Sequence, residues 1–171
     1  MHLFNLFLPL VLKGQIKKVI TISTGMADLD LINNCEVDIA GLYAASKAAM
    51  NVIVAKFNAQ YKKDGVLFLS ISPGLVEVGR FANSTCPFPP CHQETAASGH
   101  RCLTHTPAAT PEEAQGLTGF MGNLIAYAPH FEGPITPEES VRHIRSTWEK
   151  ASIEGGFGGA FISHLGNKQW V

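Results

Sequence analysis

An excess of charge of either sign is the first thing this sequence lacks: 13 Lys and Arg stand against 14 Asp and Glu, for a formal net charge of −1. Lys17-Lys18 and Lys62-Lys63 are its only basic pairs. Such a balance leaves no electrostatic footprint for nucleic acid or for an acidic membrane surface. A membrane-length apolar run is also missing. The opening stretch Met1 to Leu12 is apolar, but it has no basic leader and no small-residue cleavage site, and it is shorter than a bilayer-spanning helix. It reads as an amphipathic helix laid against a sheet, and the chain as cytoplasmic with no membrane partner. Four cysteines in such a chain give no ground for disulfides. With 171 residues and 46% hydrophobic content, the sequence describes one domain with enough apolar material for a sizeable core.

What is present is ordered along the chain. Lys17 to Ser23 is a short β-branched run, a strand set off by Gly14 from the helix before it. Leu42 to Tyr61 is helical and rich in alanine. Its first half (Ala44, Ala45, Ala48, Ala49, Val52, Ile53) is apolar on nearly every face, which predicts burial on more than one side. Lys62, Lys63 and Gly65 mark its end. Val66 to Ile71 follows as a continuous apolar strand, the pattern of a parallel strand covered on both faces. Strand, helix and strand of this size predict a right-handed βαβ unit.

Two further helices start alike: Thr110-Pro111-Glu112-Glu113 and Thr136-Pro137-Glu138-Glu139 each offer a capping threonine, a proline in the first turn and a glutamate reaching back. The second is expected to run to about Ser152. Gly155-Gly156 and Gly158-Gly159 then lead into a short strand, Ala160 to His164, suited to the same sheet. The expected class is α/β with three strands. Residues 82–109 are different in texture, rich in Pro, Thr, Ser, Cys and His without helical or strand period. They hold Cys86, Cys91 and Cys102 with His92, His100 and His105, at spacings that match no common zinc motif, so no metal is assigned. This segment reads as a disordered or aberrant insertion within a single domain, 1–171.

In an open parallel sheet, ligands bind beyond the carboxyl ends of the strands. Ser23 and Thr24 end the first strand, Pro73-Gly74 ends the second, and Tyr43 and Lys47 share one face in the first turns of the crossing helix. A phenol in water ionises only near about pH 10, so acid/base use at neutrality calls for a neighbouring cation. Lys47, one helical turn on, is placed to supply one. A hydroxyl from Ser23 or Thr24 can hold a substrate oxygen against the tyrosine. A lone Tyr-x-x-x-Lys is common by chance. The hydroxyl-terminated strand before it, the alanine-rich helix around it and Ser70-Ile71-Ser72-Pro73-Gly74 after it give this one its weight.

These residues resemble the short-chain dehydrogenase/reductase family, from Met1 to about Arg80 and again from Thr110 to Val171. The resemblance implies a partial Rossmann-type, doubly wound parallel sheet with flanking helices. It implies Tyr43 as acid/base, Lys47 as support for the tyrosine and ligand of the nicotinamide ribose, and Thr24 with Ser23 as substrate-orienting hydroxyls. It implies a cofactor, NAD or NADP, held by Tyr43, Lys47, Pro73, Gly74 and Val76, and an alcohol/carbonyl substrate. The family's Gly-x-x-x-Gly-x-Gly turn and catalytic asparagine find no counterpart, Met1 aligning within the fourth helix. Gly155 to Gly159 do not follow a strand and precede a helix, so they are no substitute. Val78 stands where a threonine commonly bonds the cofactor, and valine cannot. The family's dimer-forming helices correspond to 1–12 and 42–61. The alternative to an active oxidoreductase is therefore a catalytically silent fragment that pairs with itself or a relative.

Overall fold

A computed structural model describes residues 2–78 and 122–171. Its centre is a parallel sheet of three strands, β1 (Lys18–Ile22), β2 (Leu67–Ser72) and β3 (Phe161–Ser163), in the order β1-β2-β3. Lys18 pairs with Leu67 and Ile22 with Ile71, while Ser70 pairs with Phe161 and Ser72 with Ser163. The continuous apolar run of β2 is explained by its place: all six of its residues are buried, with a strand on each side and a helical layer on each face.

The pleat of β2 divides the core. Val66 and Phe68 face one way, against Leu8, Val54 and Phe57; Leu67, Leu69 and Ile71 face the other, against Ile144, Ala151 and Ile162. The first layer is made by α1 (His2–Lys13) and the helix between the paired strands, which spans Gly41–Tyr61. Phe4 and Phe57 meet edge to face at 5.1 Å there. The second layer is the helix Pro137–Lys150. A short helix not anticipated from the sequence, α2 (Leu29–Cys35), follows β1, which makes Gly41–Tyr61 α3 and Pro137–Lys150 α4. Asp28 starts α2 by accepting the Leu31 backbone N–H at 3.0 Å. Leu31 and Cys35 pack with Leu124 and Trp170 in a third cluster near the carboxyl end of the sheet.

Most expected elements are present within a residue or two. The end of α3 is as read, with Lys62–Asp64 forming a 3₁₀ turn and Gly65 left-handed at φ 76°. Burial of α3 on more than one side is not observed. Leu42 is 92% exposed and Val52 59%, Ala45 and Ala49 are exposed, and only Val54, Phe57 and Asn58 are buried. The reason is that α3 packs on the sheet and on α1 through its second half, and no other described element covers its outward face. Similarly α1 seats Leu8 fully, with Phe4, Val11 and Leu12 packed around it, and leaves Leu3, Leu6 and Leu10 outside. Among the described residues no helix is long and apolar enough to cross a membrane. The helix start at Thr110 and the segment 82–109, with its cysteines and histidines, lie outside the described residues.

Candidate functional site

β1 delivers Ser23 to the carboxyl edge of the sheet. Its backbone N–H donates to Ile71 O at 2.8 Å, continuing the ladder one step past the strand. The Ser23 side chain is buried, and its Oγ has no hydrogen-bond partner. An unpaired buried hydroxyl is costly unless something else uses it. Thr24 is half-buried and caps the 3₁₀ turn Gly25–Ala27, its Oγ1 accepting the Met26 N–H at 3.3 Å.

α3 brings the tyrosine and lysine to the same edge. Lys47 Nζ donates to Ile22 O at 2.9 Å, which ties the first half of the helix to the last residue of β1. The same ammonium lies 5.8 Å from the centre of the Tyr43 ring. Tyr43 itself is 48% exposed, its ring available to a ligand rather than packed away. The structure thus brings Tyr43, Lys47 and the end of β1 together. Among the described residues no hydrogen bond joins Tyr43 to Ser23 or Thr24.

Pro73-Gly74 follows β2 directly. Ser140 Oγ of α4 donates to Pro73 O at 2.8 Å, and Gly74 has φ 84°, a conformation that glycine adopts without strain. Val76 sits a little further on, bridged in parallel to Ile135, and Val78 is exposed. Beside this turn lies a cavity of about 230 Å³ lined by Leu75, Phe131, Ile135, His164 and Val171, among others. Tyr43, Lys47, Ser23 and Thr24 are not part of its lining.

Two features here were not read from the sequence. Trp170, 2% exposed, closes over Gly25: a methyl group on Gly25 would stand 3.0 Å from the Trp170 Cβ. The indole stacks on Phe161 at 4.5 Å, and Lys168 lies over both rings while reaching Asp28 Oδ2 at 3.5 Å. Residues 168–170 therefore brace the turn that carries Thr24. The second is His164, directly after β3, stacked on His143 of α4. The rule that sites gather at the carboxyl ends of parallel strands would have singled out His164, had it been applied to β3 as well as to β1 and β2.

No protein-family model matches the chain. Among curated proteins, it is 53% identical to the short-chain dehydrogenase/reductase iacC of Pestalotiopsis fici, over 99% of this chain and 53% of that one. It is 50% identical to the short chain dehydrogenase virK of Hypocrea virens, over 99% of this chain and 54% of the other. To the short-chain dehydrogenase/reductase AacuF of Aspergillus aculeatus it is 44% identical, again over 99% of this chain and 54% of the relative. The chain spans about half the length of the curated relatives it matches.

Proposed function

The chain belongs to the short-chain dehydrogenase/reductase family, and we propose that it carries the proton-transfer side of an oxidoreductase site for an alcohol/carbonyl pair. The observation that carries this reading is the Lys47 ammonium, bonded to the end of β1 beside Ser23 and 5.8 Å from the Tyr43 ring. A phenol, a cation and an unpartnered hydroxyl at the carboxyl edge of a parallel sheet suit the handling of a proton on a substrate oxygen.

A nicotinamide dinucleotide, NAD or NADP, supplies the hydride donor or acceptor when bound. The residues present fit its nicotinamide end: Lys47 keeps two N–H donors after its bond to Ile22 O, suited to ribose hydroxyls. Pro73, Gly74 and Val76 would be the residues to hold the nicotinamide side. Among the described residues no strand runs through a glycine-rich turn into a helix, the arrangement that receives a pyrophosphate. Tyr43 gives its phenolic proton to the carbonyl oxygen in reduction and takes it back from the alcohol in oxidation. A hydroxyl from Ser23 or Thr24 would hold the same oxygen against Tyr43. Thr24, accepting from Met26, still has its own O–H to donate.

Titrating the chain with NADH and NADPH by cofactor fluorescence tests this reading, followed by turnover on a panel of ketones and aldehydes. Saturable binding is expected in the wild type and in Tyr43→Phe, with turnover in the variant reduced about 10²- to 10⁴-fold. No binding by a chain of intact secondary structure overturns it. A second reading is favoured by the exposed apolar faces of α1 and α3, where Leu3, Leu6, Leu10, Leu42 and Val52 face outward. On that reading the chain pairs with another copy through these helices and has no chemistry of its own. Sedimentation of the purified chain separates the two: a dimer that binds no dinucleotide supports the second.

A further inference from the structure

His164 and His143 have no part in the chemistry proposed above, yet they lie directly behind the turn that chemistry uses. The two rings stack nearly parallel, 11° apart with centroids at 5.5 Å. His164 is 5% exposed, and the Nδ1 atoms of both rings are buried without a hydrogen-bond partner. The His164 ring presses on Gly74 so closely that a methyl group there would stand 2.8 Å from its Cε1 and 2.9 Å from its Nδ1. One face of α4 ties the pieces together. Ser140 Oγ donates to Pro73 O at 2.8 Å, Thr147 Oγ1 donates to His164 O at 2.7 Å, and His143 supplies the stacked ring between them.

We propose that the His143–His164 pair is a proton-sensitive clamp: neutral, it holds the Pro73–Gly74 turn in place, and protonation of His164 loosens that turn. A neutral imidazole tolerates an apolar neighbour and a stacked partner. An imidazolium at the same place is a desolvated charge, its Nδ1 facing no hydrogen-bond partner. Burial pushes the basicity of His164 below its ordinary value, and His143 pushes it the same way. The other charged groups nearby are few. On α4, Glu139 and Arg142 flank His143 and are both exposed; Glu132 and His130 line the cavity that His164 borders, with His130 already bonded to Gln169. The end of β2 brings only Ser72, Pro73, Gly74 and Leu75, none of them charged.

The sign follows from that direction. The unfolded chain takes up the proton first as pH falls through about 6.5, the ordinary imidazole range, so the clamp's stability is complete above that range and is lost below it. The clamp stands on its own geometry. Only its consequence, weaker dinucleotide binding in acid, rests on the oxidoreductase reading.

An NMR titration of the intact chain tests the clamp directly. The His164 Cε1 proton should titrate below the value of an unfolded histidine, and the Gly74 and Leu75 amide signals should move with the same midpoint. His143→Gln removes the ring that pushes His164 down and should raise the His164 midpoint, a change that a merely structural role does not produce. His164→Gln should lose less of its thermal midpoint than wild type between about pH 7.5 and about pH 5.5. Gly74 and Leu75 signals that ignore the titration of His164 overturn the proposal. So does an acid loss that is equal in wild type and both variants. Absence of dinucleotide binding at every pH would sink the oxidoreductase reading and leave the clamp to be judged on these signals alone.

Discussion

α4 begins with Thr136 and Glu139 bonded reciprocally, the Glu139 N–H to Thr136 Oγ1 at 3.2 Å and the Thr136 N–H to Glu139 Oε2 at 3.1 Å, with a proline in the first turn. α3 begins at Ala40, left-handed at φ 55°, with no side-chain cap. α4 buries Ser140, Ile144 and Thr147 along its length, whereas the buried residues of α3, Val54, Phe57 and Asn58, all lie in its second half. The contrast separates two jobs. α4 is capped at its start by its own residues, packs on the sheet through Ile144, and is bonded by Ser140 and Thr147 to Pro73 after β2 and His164 after β3. α3 is anchored at one end and offers chemistry at the other, where the bond from Lys47 to Ile22 O ties it to the end of β1 and its first turn has no cap.

The largest effect should come from removing the anchor. Phe57 is 7% exposed and meets the rings of Phe4, Phe68 and Tyr61. Phe57→Ala leaves a void among them and is expected to cost about 3–5 kcal/mol in denaturant unfolding. A loss near the effect of a surface change would show that α3 is held elsewhere, and the contrast with α4 would fall.

A smaller effect belongs to the start of α4. Thr136→Ala removes one cap and should cost about 1 kcal/mol. It should also change the acid response. The backbone N–H of Thr136, then its hydroxyl, hold the Glu139 carboxyl below its ordinary value. A lowered folded value means that the stabilisation is full above the ordinary carboxylate range and disappears as pH falls through the folded value. Wild type should therefore lose more stability than Thr136→Ala between about pH 5 and about pH 3. Parallel losses would mean that the Thr136 hydroxyl does not hold the Glu139 carboxyl in solution.

The same contrast explains what could be read from the sequence. Thr136-Pro137-Glu138-Glu139 announced α4 because capping is local chemistry among neighbouring residues. The apolar run of β2 announced a central strand because burial on both faces leaves no polar position. Alanine and valine in α3 recorded tolerance for burial, and whether a neighbour covers a given face depends on elements remote in the chain. α2 went unseen for a related reason, its seven residues being stabilised by Leu124 and Trp170 from far along the sequence. At the site, Ser23, Tyr43 and Lys47 were legible from strand ends and helical spacing. The stack of His143 on His164 was not, because it exists only once α4 packs across the end of β3.

The smallest effect is expected on the uncovered face of α3. Leu42 is 92% exposed, so Leu42→Glu removes almost no buried area and introduces a charge that stays in water. Its unfolding free energy should stay within about 0.5 kcal/mol of wild type. A near-zero effect at all concentrations means that this face is open to solvent in the chain as it folds alone. A destabilisation that grows with protein concentration means that the mutation disrupts a face covered by a second copy, since mass action adds the association energy to the stability of each chain. α3 would then be finished in the same way as α4, with a partner rather than its own chain supplying the missing contacts.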